Sequence, residues 1–141
     1  MNHLRYFPLE KLLTQDNGKS FLFYVGSGAG VNGTIVQPQI KEEVFEKYGY
    51  HFYPGSLNLE LVYKDQALTL KNEDYLQNKR IRMYKGKLNG FPVDIMMDAN
   101  LPFSTDVVEI CSPIKLREYF GFEDWDICIL SINKKYLEEI S

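Results

Sequence analysis

The 141-residue sequence is short of the residues that build several common kinds of site. It has two histidines, His3 and His51, too few for a histidine-rich zinc centre. Its two cysteines, Cys111 and Cys128, stand in apolar strand-like runs without metal-ligand spacing, and both read as small buried hydrophobes of a reducing compartment. No apolar run approaches the ~20 residues needed to cross a bilayer, so no membrane span is expected. The opening MNHLRYFPLEKLL lacks a basic stretch, a long apolar core and a small-residue cleavage site, which makes the cytoplasm the expected location. The formal net charge is −3, so there is no general basic field to gather nucleic acid. A local cluster, Lys79, Arg80, Arg82, Lys85 and Lys87, reads as a solvated strand face.

What is present is an ordinary globular composition, 45% hydrophobic, 25% charged and 14% aromatic, enough for one domain with a real core. Strands are expected at Ser20–Val25, Gly33–Gln37, Ser56–Val62, Arg80–Lys87, Phe91–Met97, Val107–Cys111 and Asp126–Ile132. Pro38 opens a helix over Gln39–Tyr48, with Ile40, Val44, Phe45 and Tyr48 on one face and Gly49 as its stop. Asn89-Gly90 predicts a tight hairpin turn. Residues 68–77 and 98–106 read as loops, Ile114–Phe120 as a short helix ended by Gly121, and residues 134–141 as a charged helical tail. Many short strands with little helix favour a small barrel over alternating βαβ units.

Three segments carry candidate chemistry. Gly26-Ser-Gly-Ala-Gly30 follows a strand; closely spaced glycines let backbone N–H groups converge on a phosphate, and the same run also reads as a plain turn. It is neither the dinucleotide fingerprint, since Asn32 stands where a third glycine is needed, nor a P-loop. In Pro54-Gly-Ser-Leu-Asn58, strand alternation puts the Ser56 hydroxyl and the Asn58 amide on one face. Such a pair suits a magnesium ion that also takes phosphates, and reads equally as two solvated polar groups on an edge strand. In Val108–Arg117, Glu109 is a carboxylate among apolar strand residues, a hydrogen-bond acceptor or general base if desolvated and otherwise an outward-pointing charge.

In this order the segments resemble the archaeal-type CTP-dependent riboflavin kinases. That family has a GxGxG loop, an amphipathic helix ending in a glycine–aromatic pair, a PGTLN-like strand and a late EIIAP-x-x-LR segment. Here these stand as Gly26–Gly30, Gly49-Tyr50, Tyr53–Leu61 and Glu109-Ile-Cys-Ser-Pro-Ile-Lys-Leu-Arg117, followed by Gly121-Phe-Glu-Asp-Trp-Asp126. The resemblance runs from about Phe23 to Ile132. It implies a mainly β fold, a six-stranded Greek-key cradle-loop barrel of the riboflavin-synthase-like type with one or two short helices. The barrel would occupy residues 21–133, between an N-terminal extension of residues 1–20 and a tail of 134–141.

The resemblance also implies transfer of the CTP γ-phosphate to the riboflavin 5′-hydroxyl, giving FMN and CDP. Gly26, Ser27, Gly28, Ala29, Gly30 and Val31 would then wrap the nucleotide phosphates, and Ile114, Lys115, Leu116 and Arg117 would frame the cytidine. Ser56 and Asn58 would hold Mg²⁺, and Glu109 would meet the flavin near the accepting hydroxyl and act in catalysis. The family's flavin-contacting threonine, eight positions before Glu109, is Leu101 here, which passes that role to Ser104 or Thr105. Other departures are Ala29 and Asn32-Gly33 in the loop region, Ser56 for threonine, Cys111-Ser112 for Ile-Ala, and Asp124-Trp-Asp126 for Asp-Gly-Asp. The expected partners are the small molecules CTP and riboflavin, with neither nucleic acid nor membrane, and the expected state is a monomer. Two alternatives stand beside the kinase. One is a divergent, non-catalytic nucleotide- or flavin-binding module of the same fold; the other is a barrel used for protein interaction.

Overall fold

The computed structural model describes residues 18–26, 38–53, 56–66, 68–71, 74–76, 81–98, 104–105 and 107–137. The expected strand at Gly33–Gln37, the loop residues Ser27–Val31 and the extension before Gly18 lie outside the described residues. The elements are β1 (Gly18–Val25), α1 (Pro38–Tyr48), β2 (Leu57–Leu61), β3 (Leu68–Thr69), β4 (Asp74–Leu76), β5 (Ile81–Leu88), β6 (Phe91–Asp98), β7 (Ser104–Thr105), β8 (Val107–Cys111), α2 (Leu116–Phe120) and β9 (Ile127–Asn133). Single 3₁₀ turns sit at Lys64–Gln66 and Lys134–Tyr136.

Six strands pair antiparallel in the order β5-β6-β8-β2-β1-β9, and β9 returns to β5, closing a barrel. Three strands in sequence, β5, β6 and β8, are followed by β9 lying beside the first of them, which is the Greek-key order. The sheet therefore has the expected class: a closed six-stranded barrel with two helices. Alternation builds its inside. Along β2, Leu57, Leu59 and Leu61 are buried while Asn58 and Glu60 are half-buried. The interior is filled from every strand, including Phe23, Leu59, Tyr84, Ile95, Ile110 and Leu130.

The β5–β6 hairpin follows its sequence closely. Leu88 pairs with Phe91, and Asn89 and Gly90 take φ of 46° and 85°, the mirror-image turn these residues favour. Asn89 is also pinned: its amide donates to the Ile129 carbonyl at 2.8 Å, and its side-chain oxygen accepts from Ile129 N–H at 2.9 Å.

A second apolar cluster lies outside the barrel. Ile40 and Val44 of α1, with Phe52, cover Ile81, Met83, Met96 and Cys111 on the outer faces of β5, β6 and β8. Phe45 does not join them, contrary to the expected helix face. It is 50% exposed and stacks on His51 with ring centroids 4.8 Å apart. The buried stripe is Ile40 and Val44, with Tyr48 packed at its end, one residue every fourth position.

Lys79 and Arg80 of the basic cluster lie outside the described residues, and the same alternation splits the rest. Lys85 and Lys87 are exposed, but Arg82 is 1% exposed and shares the inward face with Tyr84, whose hydroxyl lies 3.4 Å from Nη1. The reading of Arg82 as part of a solvated face is therefore corrected. Two expected loops also carry short strands: β3 pairs with β7, and β4 extends the sheet beside β5. The described part of the expected helical tail is one 3₁₀ turn whose Tyr136 is buried edge-on against Tyr84. No helix among the described residues is long and apolar enough to cross a membrane.

Candidate active site

The described residues of the three chemistry-bearing segments meet at one end of the barrel, where β1 ends, β2 begins and α2 packs. β2 and β8 pair so that Asn58 faces Glu109 directly, on the outer face of the wall. Ser56, one alternation earlier, is 7% exposed, and its hydroxyl lies 3.5 Å from Oε1 of Glu109, at the outer edge of hydrogen-bond range. Both Asn58 and Glu109 are half-buried. Hydroxyl, amide and carboxylate oxygens thus share one partly desolvated patch.

Gly26 abuts this patch. Its amide donates to the Asn58 carbonyl at 2.7 Å, and a Cβ there would stand 3.0 Å from that oxygen and 3.2 Å from the Asn58 Cβ. Glycine lets the two backbones approach this closely. Arg117 closes the arrangement: Nη2 donates to the Gly26 carbonyl at 2.7 Å and Nη1 to Asp124 at 2.9 Å. The first residue of the glycine loop is therefore held on one side by the Ser-x-Asn strand and on the other by the Glu-to-Arg segment.

The segment from Ser112 to Arg117 is itself shaped by backbone bonds. The Ser112 hydroxyl accepts from Ile114 N–H at 3.3 Å, and its carbonyl accepts from Tyr53 N–H at 2.7 Å. Ile114 packs half-buried against the barrel core, Lys115 is exposed at the start of α2, and Leu116 is buried. Gly121 ends the helix in the left-handed region, φ 68°. Of the four residues expected around a cytidine, Arg117 is tied to Gly26, the described residue of the glycine loop. Thr105 lies in β7, on the ribbon paired with β3, and its side chain is outside the described residues.

Both cysteines are buried and free, as expected. Burial pushes the Cys111 and Cys128 thiols well above their usual range, with Glu109 and Asp94 adding to the effect at Cys111 and Asp126 at Cys128. Neither thiol is a nucleophile at neutral pH. Among the described residues no cluster of three or more His, Cys, Asp or Glu offers a metal cage. The hard, mostly neutral oxygens of Ser56 and Asn58 do fit a magnesium ion, which keeps waters and takes phosphates as ligands.

One buried group escaped the sequence reading. Asp94, 2% exposed on the outer face of β6, accepts from the Tyr50 hydroxyl and stands 2.7 Å from Lys85 Nζ. A lone carboxylate in the apolar run FPVDIMM was the available signal.

A family model described as CTP-dep_RFKase, Domain of unknown function DUF120, matches residues 25–132, well over half of the chain. The chain belongs to this CTP-dependent riboflavin kinase family. The match spans the site, from the last residue of β1 to the end of the barrel wall. Relatives agree with it. A riboflavin kinase of Pyrobaculum aerophilum is 28% identical over 92% of this chain and 64% of its own. That of Archaeoglobus fulgidus is 25% identical over 86% and 58%, and that of Pyrobaculum islandicum 30% over 70% and 51%. The chain thus spans between 51% and 64% of the length of these relatives.

Proposed function

We propose that this barrel is a CTP-dependent riboflavin kinase domain that transfers the γ-phosphate of CTP to the riboflavin 5′-hydroxyl and releases FMN and CDP. The observation that supports it is the convergence of Gly26, Asn58, Glu109 and Arg117, drawn from three distant parts of the chain. Phosphoryl transfer asks for positioning and charge neutralisation more than covalent chemistry, and a fixed convergence of this kind suits the positioning.

In this reading the backbone of Ser27–Val31 cradles the phosphates, while Arg117 fixes the Gly26 carbonyl and so the point where the loop begins. Ile114, Lys115 and Leu116 frame the cytidine. Ser56 and Asn58 hold Mg²⁺, which when bound neutralises phosphate charge. Glu109 orients the 5′-hydroxyl. As the new O–P bond forms and the bond to CDP breaks, the carboxylate accepts the hydroxyl proton and later returns it to water. Thr105 contacts the flavin.

The test is FMN formation followed by chromatography, with Mg²⁺ and riboflavin, offering CTP and ATP in parallel. FMN made from CTP, and lost on Asn58→Ala while the protein stays folded, is the expected result. FMN made from ATP alone would overturn the cytidine assignment but keep the transfer. No FMN from folded protein would overturn the enzyme in favour of a nucleotide- or flavin-binding module.

A further inference from the structure

The turn leading into β9 carries an aromatic side chain on backbone that favours glycine. Asp126 N–H closes a four-residue turn on the Glu123 carbonyl at 3.2 Å, and Trp125, at its third position, has φ of 71°. A Cβ crowds the backbone in this region, which is why such turns take glycine at that place. The other described non-glycine residue with positive φ is Asn89, a type that tolerates it. Burial does not offset the strain at Trp125, whose side chain is 57% exposed.

The backbone that carries the indole is nevertheless tied down on both sides. Trp125 N–H donates to the Val25 carbonyl at 2.8 Å, and Val25 N–H donates to the Asp126 carbonyl at 2.8 Å. The ring meets Tyr24 edge-on, with centroids 6.3 Å apart. Asp124, its neighbour, accepts from the same Arg117 that grips Gly26. An exposed π-face on a pinned backbone therefore stands opposite Val25, one residue before the start of the glycine loop. Such a face suits a planar base: stacking dehydrates both rings and asks for no particular hydrogen-bonding edge.

We propose that Trp125 is the platform on which the nucleobase of the bound nucleotide stacks; this rests on the nucleotide-binding reading above. The strain is retained for binding, so glycine at this position makes a more stable protein that binds more weakly. Because every base has a π-face, the platform adds affinity and leaves the choice of cytosine to other groups.

Trp125 is the single tryptophan of the sequence, so its fluorescence reports on this face alone. The experiment titrates CDP with Mg²⁺, inorganic tripolyphosphate and riboflavin separately, following emission and, in parallel, heat of binding. CDP is expected to quench the emission, and tripolyphosphate to leave it unchanged. Trp125→Gly is expected to raise the melting temperature and weaken CDP about tenfold without altering tripolyphosphate binding, and Trp125→Phe to recover part of the loss. Calorimetric CDP binding without quenching, and undiminished in Trp125→Gly, would overturn the platform while leaving the nucleotide reading intact. Quenching by tripolyphosphate, or by riboflavin in place of CDP, would also overturn it. No heat with CDP from folded protein would overturn the nucleotide reading and the platform together.

Discussion

The outer wall of the barrel has two halves that share strand β8 and differ in what covers them. Cys111 and Glu109 are two residues apart on the same face. Cys111 is 1% exposed beneath the Ile40 and Val44 stripe of α1, among Met83 and Met96. Glu109, just past the cover, faces Asn58 and Ser56 and remains half-buried. Under the helix the wall is largely apolar, and its buried carboxylate, Asp94, is tied to Tyr50 and Lys85. Beyond the helix the wall carries the oxygens of Ser56, Asn58 and Glu109, of which the last two are half-buried. A short helix thus divides one sheet face into a covered apolar half and a half that carries oxygens, and on the kinase reading proposed above, substitutions on the two halves should separate stability from activity.

The largest effect is expected in the open half. Glu109→Gln keeps the shape and an oxygen facing Ser56 but removes the carboxylate proposed as proton acceptor. FMN formation should fall about 100-fold or more, with the urea midpoint unchanged. An equal loss of stability would mean that Glu109 belongs with the structural half, and the division would fail.

The covered half should behave in the opposite way. Ile40 is fully buried at the α1 interface, and Ile40→Ala removes packing from Met83, Met96 and Cys111 together. A loss of roughly 2–5 kcal/mol is expected from the urea midpoint, with the turnover of the remaining folded protein unchanged. Reduced turnover in the folded fraction would show that the helix also positions Glu109 through Met96, its partner across β6 and β8.

This division was only partly legible in the sequence. Leu57, Leu59 and Leu61 alternate cleanly, and Asn89-Gly90 states its turn, so strands and hairpin follow from local pattern. Register does not. That Asn58 meets Glu109, or that Arg117 reaches the Gly26 carbonyl, depends on which strands pair, and no local signal carries that. Arg82 was misplaced because charge suggested solvent while the strand's period of two sent it inward with Tyr84. Phe45 was misplaced because it lies next to Val44, and adjacent helix positions do not share a face. The strands β3, β4 and β7 have two or three residues each, too few to show a period.

The smallest effect compares the covered wall with the barrel interior through their thiols, Cys111 in the first and Cys128 in the second. Burial raises both, so in the unfolded chain they titrate near 8.5 while in the folded protein they stay protonated well above that. Between these limits the unfolded state has released protons that the folded state keeps, and stability falls as pH rises. Below about pH 8 these thiols impose no slope. Above about pH 10 Tyr48 and Tyr50, raised chiefly by burial and then by Asp74 and Asp94 respectively, should add to the decline. The urea midpoint is therefore expected to drop between pH 8 and pH 10, and Cys111→Ala and Cys128→Ala should each remove part of the drop. If Cys128→Ala flattens the slope and Cys111→Ala leaves it unchanged, the thiol under α1 titrates in the folded protein as it does in the unfolded chain. The helix would then lift at alkaline pH while the barrel stays closed, and the two halves of the wall would differ in rigidity as well as in chemistry.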